Sequence, residues 1–115
     1  MTMYLKNTAC PKGLKPQALL MIIIAEQVHA ELGFHMCITS LNDSNHAVDS
    51  YHYSGNAFDS RIRQGAYIND TRYPTAAEAE KIIEIAKGRL GPAFDVIFEK
   101  DHIHWEYNAR TYGDL

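Results

Sequence analysis

The stretch that decides the fold lies between Phe94 and Tyr107 and reads FDVIFEKDHIHWEY. Its first half places apolar side chains at every second position. Its second half alternates an apolar set (Ile103, Trp105, Tyr107) with a polar one (His102, His104, Glu106). Because side chains alternate across a strand, this pattern predicts a β-hairpin that turns at Glu99-Lys100-Asp101 and carries both histidines on one face. Trp105 and Tyr107 are expected in the core.

A helix is predicted immediately before the hairpin. Thr75 and Glu78 have the spacing of a capping box, and Gly91-Pro92 supplies a stop. The apolar positions between these signals mark its inner face (Ala79, Ile82, Ile83, Ala86, Leu90).

An earlier helix is predicted from Pro16, which suits a first helical turn, to a stop at Gly33. Leu20, Ile24, Val28 and Leu32 recur every four residues and are expected to form its buried stripe. A strand over Phe34–Ser40 follows and runs into a polar loop.

The order helix, strand, strand, helix, hairpin predicts the α+β class, with a small antiparallel sheet and helices packed on one side. The length of 115 residues predicts one domain over residues 1–115. Gln64 to Pro74 is the one long irregular stretch predicted, and such a loop in a small domain often borders a site.

The composition narrows the choice of partners. Charged residues make up 22% of the chain and the net charge is −3, so no basic field exists to bind nucleic acid. The longest apolar run, Ala18 to Ala25, is too short to cross a bilayer and lacks the layout of a signal peptide. We expect a cytoplasmically made monomer with no membrane insertion. Cys10 and Cys37 are expected to be reduced, with Cys37 buried.

A metal site is suggested by His52, Asp59 and the pair His102 and His104. Two imidazoles and a carboxylate are the usual protein ligands of a catalytic zinc, which keeps one position open for water. Gly55 must supply a turn if His52 and Asp59 are to meet. Asp101 would lie on the wrong face of a regular strand, so it joins the site only if the turn redirects it. His29, His35 and His46 are not expected to bind metal.

Two motifs resemble one known family. Residues 50–59, SYHYSGNAFD, match SxHxxGxAxD at every fixed position, and residues 101–106, DHIHWE, match its partner motif, with an acid three residues before the last histidine of HxH. These are similar to the signatures of the hedgehog and D-alanyl-D-alanine peptidase family, the LAS metallopeptidases. The resemblance covers about Gly33 to Tyr107. The helix before it is similar to the one that usually precedes the first strand in that family.

The resemblance implies one Zn²⁺ ion on His52, Asp59 and His104, with Asp101 as general base and His102 beside the reacting carbonyl. It also implies a peptidase that hydrolyses amide bonds in the peptide part of peptidoglycan, as an endopeptidase or a carboxypeptidase. The lack of an export signal suits an endolysin that reaches the cell wall during phage lysis, and a bacterial wall-remodelling enzyme is the other possibility.

One departure concerns substrate binding. Many members carry an arginine shortly after the first strand, and Thr39–Asp43 has none. Arg61 or Arg63 is the expected substitute, with Ser50 as a further substrate contact, although solvated strand charges are the alternative reading.

Two other functions remain open at this level. The first is a zinc-binding module that recognises wall peptide or a protein partner without cutting, as the non-proteolytic hedgehog domains illustrate. The second is a non-haem iron oxygenase, because two histidines and a carboxylate also form that site.

Overall fold

The structure is a computed structural model that describes residues 3–7, 14–41 and 56–113. Within these residues the chain forms an α+β domain with five strands and two long helices. In chain order the elements are β1 (Met3–Leu5), α1 (Pro16–Glu31), β2 (Met36–Ser40), β3 (Ala57–Arg61), a 3-10 turn (Gly65–Tyr67), α2 (Ala76–Leu90), β4 (Phe94–Glu99), β5 (His102–Tyr107) and the single-turn α3 (Ala109–Tyr112). The predicted class is confirmed.

The five strands form one sheet in the order β1-β2-β3-β5-β4. β1 pairs with β2 in parallel, and the other neighbours are antiparallel. The prediction of an antiparallel sheet was therefore wrong, because the sheet is mixed. β1 was not predicted, since three residues are too few to show an alternating pattern.

The β4–β5 hairpin lies where the sequence predicted it. Lys100 has a φ of 44°, the left-handed conformation that lets the chain reverse within two residues. Side-chain burial in β5 alternates strictly, with Ile103, Trp105 and Tyr107 buried. Both histidines therefore share the other face, as predicted.

α2 begins with the predicted capping box. The Glu78 amide donates to Thr75 Oγ1 (3.2 Å), and the Thr75 amide donates to Glu78 Oε1 (2.8 Å). The helix ends before Gly91, which has a φ of 90°. Four of the five predicted inner positions are buried (Ala79, Ile82, Ile83, Ala86). The fifth, Leu90, is partly buried and packs against the core.

α1 has the predicted extent but not the predicted buried stripe. Leu20 is 44% exposed, and Ile24 and Leu32 are only partly buried. Of the predicted stripe only Val28 is fully buried, and the other buried positions include Ala18, Met21 and Ala25. The helix is apolar on several sides, so the four-residue repeat did not fix which side faces inward.

α1 and α2 contact each other, and both contact the sheet. Their buried side chains form one hydrophobic cluster with the sheet residues that face them, so the prediction of helices on one side is confirmed. Phe58 and Trp105 stack at its centre, with ring centroids 5.5 Å apart. Cys37 is buried as predicted, and Cys10 lies outside the described residues. Among the residues described, no helix has both the length and the apolar character needed to span a bilayer.

Candidate metal centre

The candidate site lies on the sheet face opposite the helices, where β3 and β5 run side by side. Asp59 pairs with His104 across the two strands, and Arg61 pairs with His102. Directly opposite residues of antiparallel strands project from the same face. Strand pairing therefore gathers side chains that are more than forty residues apart in sequence.

Three side chains form a cluster that can hold a metal ion. His104 Nδ1 lies 2.9 Å from Asp59 Oδ1, and His102 Nε2 lies 3.6 Å from the same oxygen. One ligand atom from each of Asp59, His102 and His104 lies within 4.8 Å of the other two. All three side chains keep some contact with solvent, between 13% and 28% of their surface.

The cluster contains two of the three predicted ligands, Asp59 and His104. Its third member, His102, was predicted to act on the substrate rather than to bind metal. The predicted ligand His52 and the predicted substrate contact Ser50 both lie outside the described residues. Their roles stay predictions.

The His104 ring lies between two carboxylates. Nδ1 faces Asp59, and Nε2 lies 3.3 Å from Glu106 Oε1. Burial lowers the pKa of His104, but hydrogen bonds to Asp59 and Glu106 outweigh burial and raise the pKa to about 10. A metal ion must therefore replace a proton at this ring.

Asp101 contacts the cluster through its place in the hairpin turn, and its role as general base stays a prediction. Its Oδ1 lies 2.8 Å from His102 Nδ1, and 59% of its side chain is exposed. Since the carboxylate accepts a hydrogen bond from Nδ1–H, it orients the His102 ring so that Nε2 faces Asp59. Asp101 thus combines access to solvent with contact to the cluster.

Two imidazoles and a carboxylate are donors that zinc prefers. Each histidine also has a carboxylate at its other nitrogen, Asp101 for His102 and Glu106 for His104, and metal-binding histidines are commonly supported in this way. The donor set therefore fits zinc. It equally satisfies the two-histidine, one-carboxylate pattern of an iron site.

Glu106 is a site residue for which the sequence predicted no role. The alternation of β5 already placed it on the histidine face, so a signal was present. Its contact with His104 depends on the side-chain conformations, which alternation alone does not give.

A pocket of about 320 Å³ opens beside the cluster. It lies between β3, the hairpin turn and the 3-10 turn of the predicted irregular stretch. Its lining combines charged, amide and aromatic groups (Thr39, Arg61, Gln64, Tyr67, Asp101, His102). A substrate seated there would contact Asp101 and His102.

Arg61 contributes the positive charge of this pocket. Its guanidinium carbon lies 3.7 Å from the centre of the Tyr67 ring and 5.5 Å from that of Tyr73. Tyr67 was not anticipated, because it belongs to a turn whose approach to β3 has no signal in the sequence. Stacking restrains the planar guanidinium, and the N–H groups that do not donate to the Tyr73 hydroxyl can bind an anion.

Arg63 has different contacts. Its Nε donates to the Tyr73 carbonyl (3.2 Å), its Nη2 donates to the Thr71 carbonyl (3.4 Å), and it lies 3.9 Å from Glu78. These contacts tie the loop after β3 to the start of α2. The geometry gives Arg63 a structural role in the loop, and of the two arginines only Arg61 lines the pocket.

The site rests on a buried polar and aromatic layer. Trp105, between His104 and Glu106 in β5, donates from Nε1 to Ser60 Oγ (2.9 Å) on β3. The side-chain amide of Gln17, a buried residue of α1, donates to Oδ1 of Asn56, the residue just before β3 (2.5 Å). These bonds fix β3 relative to β5 and to α1, and thereby the position of Asp59 relative to His104.

No family model matches the chain, and searches of the curated proteins and of the solved structures found no significant match. The resemblance to the LAS peptidases therefore stays a prediction that rests on the two motifs.

Proposed function

We propose that the protein is a zinc-dependent peptidase with the hedgehog and D-alanyl-D-alanine peptidase fold, acting on the peptide part of peptidoglycan. The observation that carries the proposal is the convergence of Asp59, His102 and His104 beside the accessible carboxylate of Asp101. The fourth proposed participant, His52, comes from the sequence motif. Cell-wall lysis of the endolysin type is the role that we propose for this activity.

Zinc in such a site supplies a Lewis acid that activates water and polarises a carbonyl. Asp59 and His104 would hold it together with His52. Asp101 would accept the proton of the attacking water and return it to the leaving amine. His102, as an imidazolium with a proton on each ring nitrogen, would donate from Nδ1 to Asp101 and from Nε2 to the developing oxyanion.

Arg61 is the group that we propose to bind the substrate. A peptide carboxylate placed in the pocket would meet the guanidinium edge while its backbone approaches Asp101 and His102. This assignment gives Arg61 the role that the missing arginine after the first strand has in many family members.

A non-catalytic zinc-binding module is the alternative, and one observation favours it. His102 lies in the same cluster as Asp59 and His104. If all three bind the ion together with His52, four protein ligands close the site, as in structural zinc centres. Such a protein would bind wall peptide without cutting it.

The decisive experiment is mass spectrometry of fragments released from purified peptidoglycan by the zinc-loaded protein. We expect new amino termini, lost with a chelator and restored by zinc. Asp101→Asn keeps an acceptor for His102 but cannot take a proton, so it should lower turnover by about 10²- to 10⁴-fold while zinc stays bound. Glu84→Gln, on the exposed side of α2, is the control and should match the wild type.

Intact peptidoglycan after incubation with protein of verified zinc content would contradict the peptidase and favour the binding module. Wild-type turnover in Asp101→Asn would remove Asp101 from the base role. Metal analysis of the same sample separates zinc from iron.

A further inference from the structure

Glu106 approaches His104 from the side opposite Asp59. Its Oε1 lies 3.3 Å from His104 Nε2, and 16% of its side chain is exposed. The other ring nitrogen, Nδ1, lies 2.9 Å from Asp59 Oδ1. The two ends of one imidazole thus face different carboxylates.

A histidine binds a metal through one ring nitrogen, and the hydrogen bond at the other nitrogen decides which one is used. Nδ1 is the nitrogen that lies close to Asp59, a second member of the cluster. Nε2 then carries the proton and donates a hydrogen bond to Glu106.

The residue opposite Glu106 argues against a purely structural role for this carboxylate. Asp95 of β4 stands directly opposite Glu106 in the hairpin register. Like charges opposite each other on a sheet are destabilising. A neutral residue at position 106 would avoid this repulsion. We therefore attribute the negative charge of Glu106 to its contact with His104.

We propose that Glu106 is a positioning residue that holds the His104 ring with Nδ1 toward the metal. The proposal rests on the metal-binding part of the proposed function and not on peptidase activity. Glu106 does not touch the substrate or the ion, and it acts only through His104.

The test is zinc affinity, measured by competition with a chromophoric chelator on the full chain. Glu106→Ala should weaken zinc binding by about 10- to 100-fold, the usual effect of losing such a partner. Glu106→Gln removes the same charge but keeps an oxygen that can accept from Nε2, so its loss should be clearly smaller.

Glu99→Gln is the matched control. Glu99 also lies on this face, 3.8 Å from His104 Nδ1, and is 48% exposed. It loses the same charge without removing a hydrogen bond at Nε2, so zinc affinity should stay within about twofold of the wild type. Equally weakened zinc binding in Glu99→Gln and Glu106→Ala would show that only the net charge matters, and would overturn the proposal.

A measurement on the unaltered protein makes the proposal independent of how the variants fold. Nitrogen-15 NMR of the zinc-loaded protein should show His104 bound through Nδ1, with a proton on Nε2. Coordination through Nε2 would overturn the positioning role and leave the zinc site intact. A wild-type protein that binds no zinc would instead overturn the proposed function as well.

Discussion

At the scale of single residues, His102 separates the two proposed functions. It is oriented by Asp101 through Nδ1, and its Nε2 lies 3.6 Å from Asp59. When that nitrogen carries a proton, it can donate to a reacting carbonyl, as the peptidase requires. Without the proton, its lone pair can bind the metal, which would help to close the site.

We predict that His102→Ala retains bound zinc and loses peptidase turnover by about 10²- to 10³-fold, the usual effect of removing one oxyanion donor. Elemental analysis after dialysis gives the zinc content, and fragment release from peptidoglycan gives turnover. His104→Ala serves as the reference for a lost ligand and should lose both. Zinc loss in His102→Ala as large as in His104→Ala would argue for the closed, non-catalytic site.

The residue-level prediction succeeded where alternation along one strand was sufficient. His102 and His104 were placed on one face from β5 alone, and Trp105 was placed in the core. The proximity of Asp59 and His104 was predicted from the motifs. In the structure, it results from the register in which β3 pairs with β5. The role of Arg63 in the loop had no sequence signal, because its partners are main-chain carbonyls of a loop.

At the scale of elements, the two long helices differ in how far sequence specifies them. α2 has a complete capping box and a clear inner face, so its start and its orientation were both predicted. α1 has apolar side chains on exposed positions too, including Leu19, Leu20 and Ile23. Its extent was predictable, whereas its rotation depended on packing.

The capping box of α2 gives a prediction for stability. Thr75→Ala removes the acceptor for the Glu78 amide and should lower the free energy of unfolding by about 1 kcal/mol. Thr75→Ser keeps the hydroxyl and should change it by much less. Urea unfolding followed by circular dichroism measures both. Equal stability of Thr75→Ala and the wild type would show that the box contributes nothing to the folded state.

At the scale of the whole molecule, one buried histidine links α1 to the layer beneath the site. His29 is fully buried, and its ring centroid lies 6.5 Å from that of Trp105. Its Nδ1 donates to the Ala25 carbonyl (2.7 Å), and its Nε2 has no hydrogen-bond partner among the described residues. Burial lowers the pKa of His29 to about 4, against the opposing effect of the hydrogen bond to Ala25.

The pH dependence of folding follows from this pKa. The unfolded chain takes up a proton at His29 near pH 6.5, whereas the folded protein does so only near pH 4. The free energy of unfolding should therefore fall as the pH drops from 6.5 to 4, by about 3 kcal/mol from this residue.

His29→Leu should remove this part of the pH dependence. The difference in unfolding free energy between wild type and variant isolates His29 from the other titrating groups. Urea unfolding of both proteins at several pH values across this window measures that difference. Parallel pH profiles for the two proteins would contradict the assignment.

The sequence by itself determined the hairpin, the extent of both long helices, the cap of α2 and the face that carries the histidines. Each depends on groups within a few positions along the chain, through strand alternation and local hydrogen bonds. Only the tertiary structure decided the parallel pairing of β1, the buried side of α1, and the contacts of His102 and Glu106 with the cluster. These depend on which surfaces pack and which strands lie side by side, and no local pattern encodes such distant neighbours.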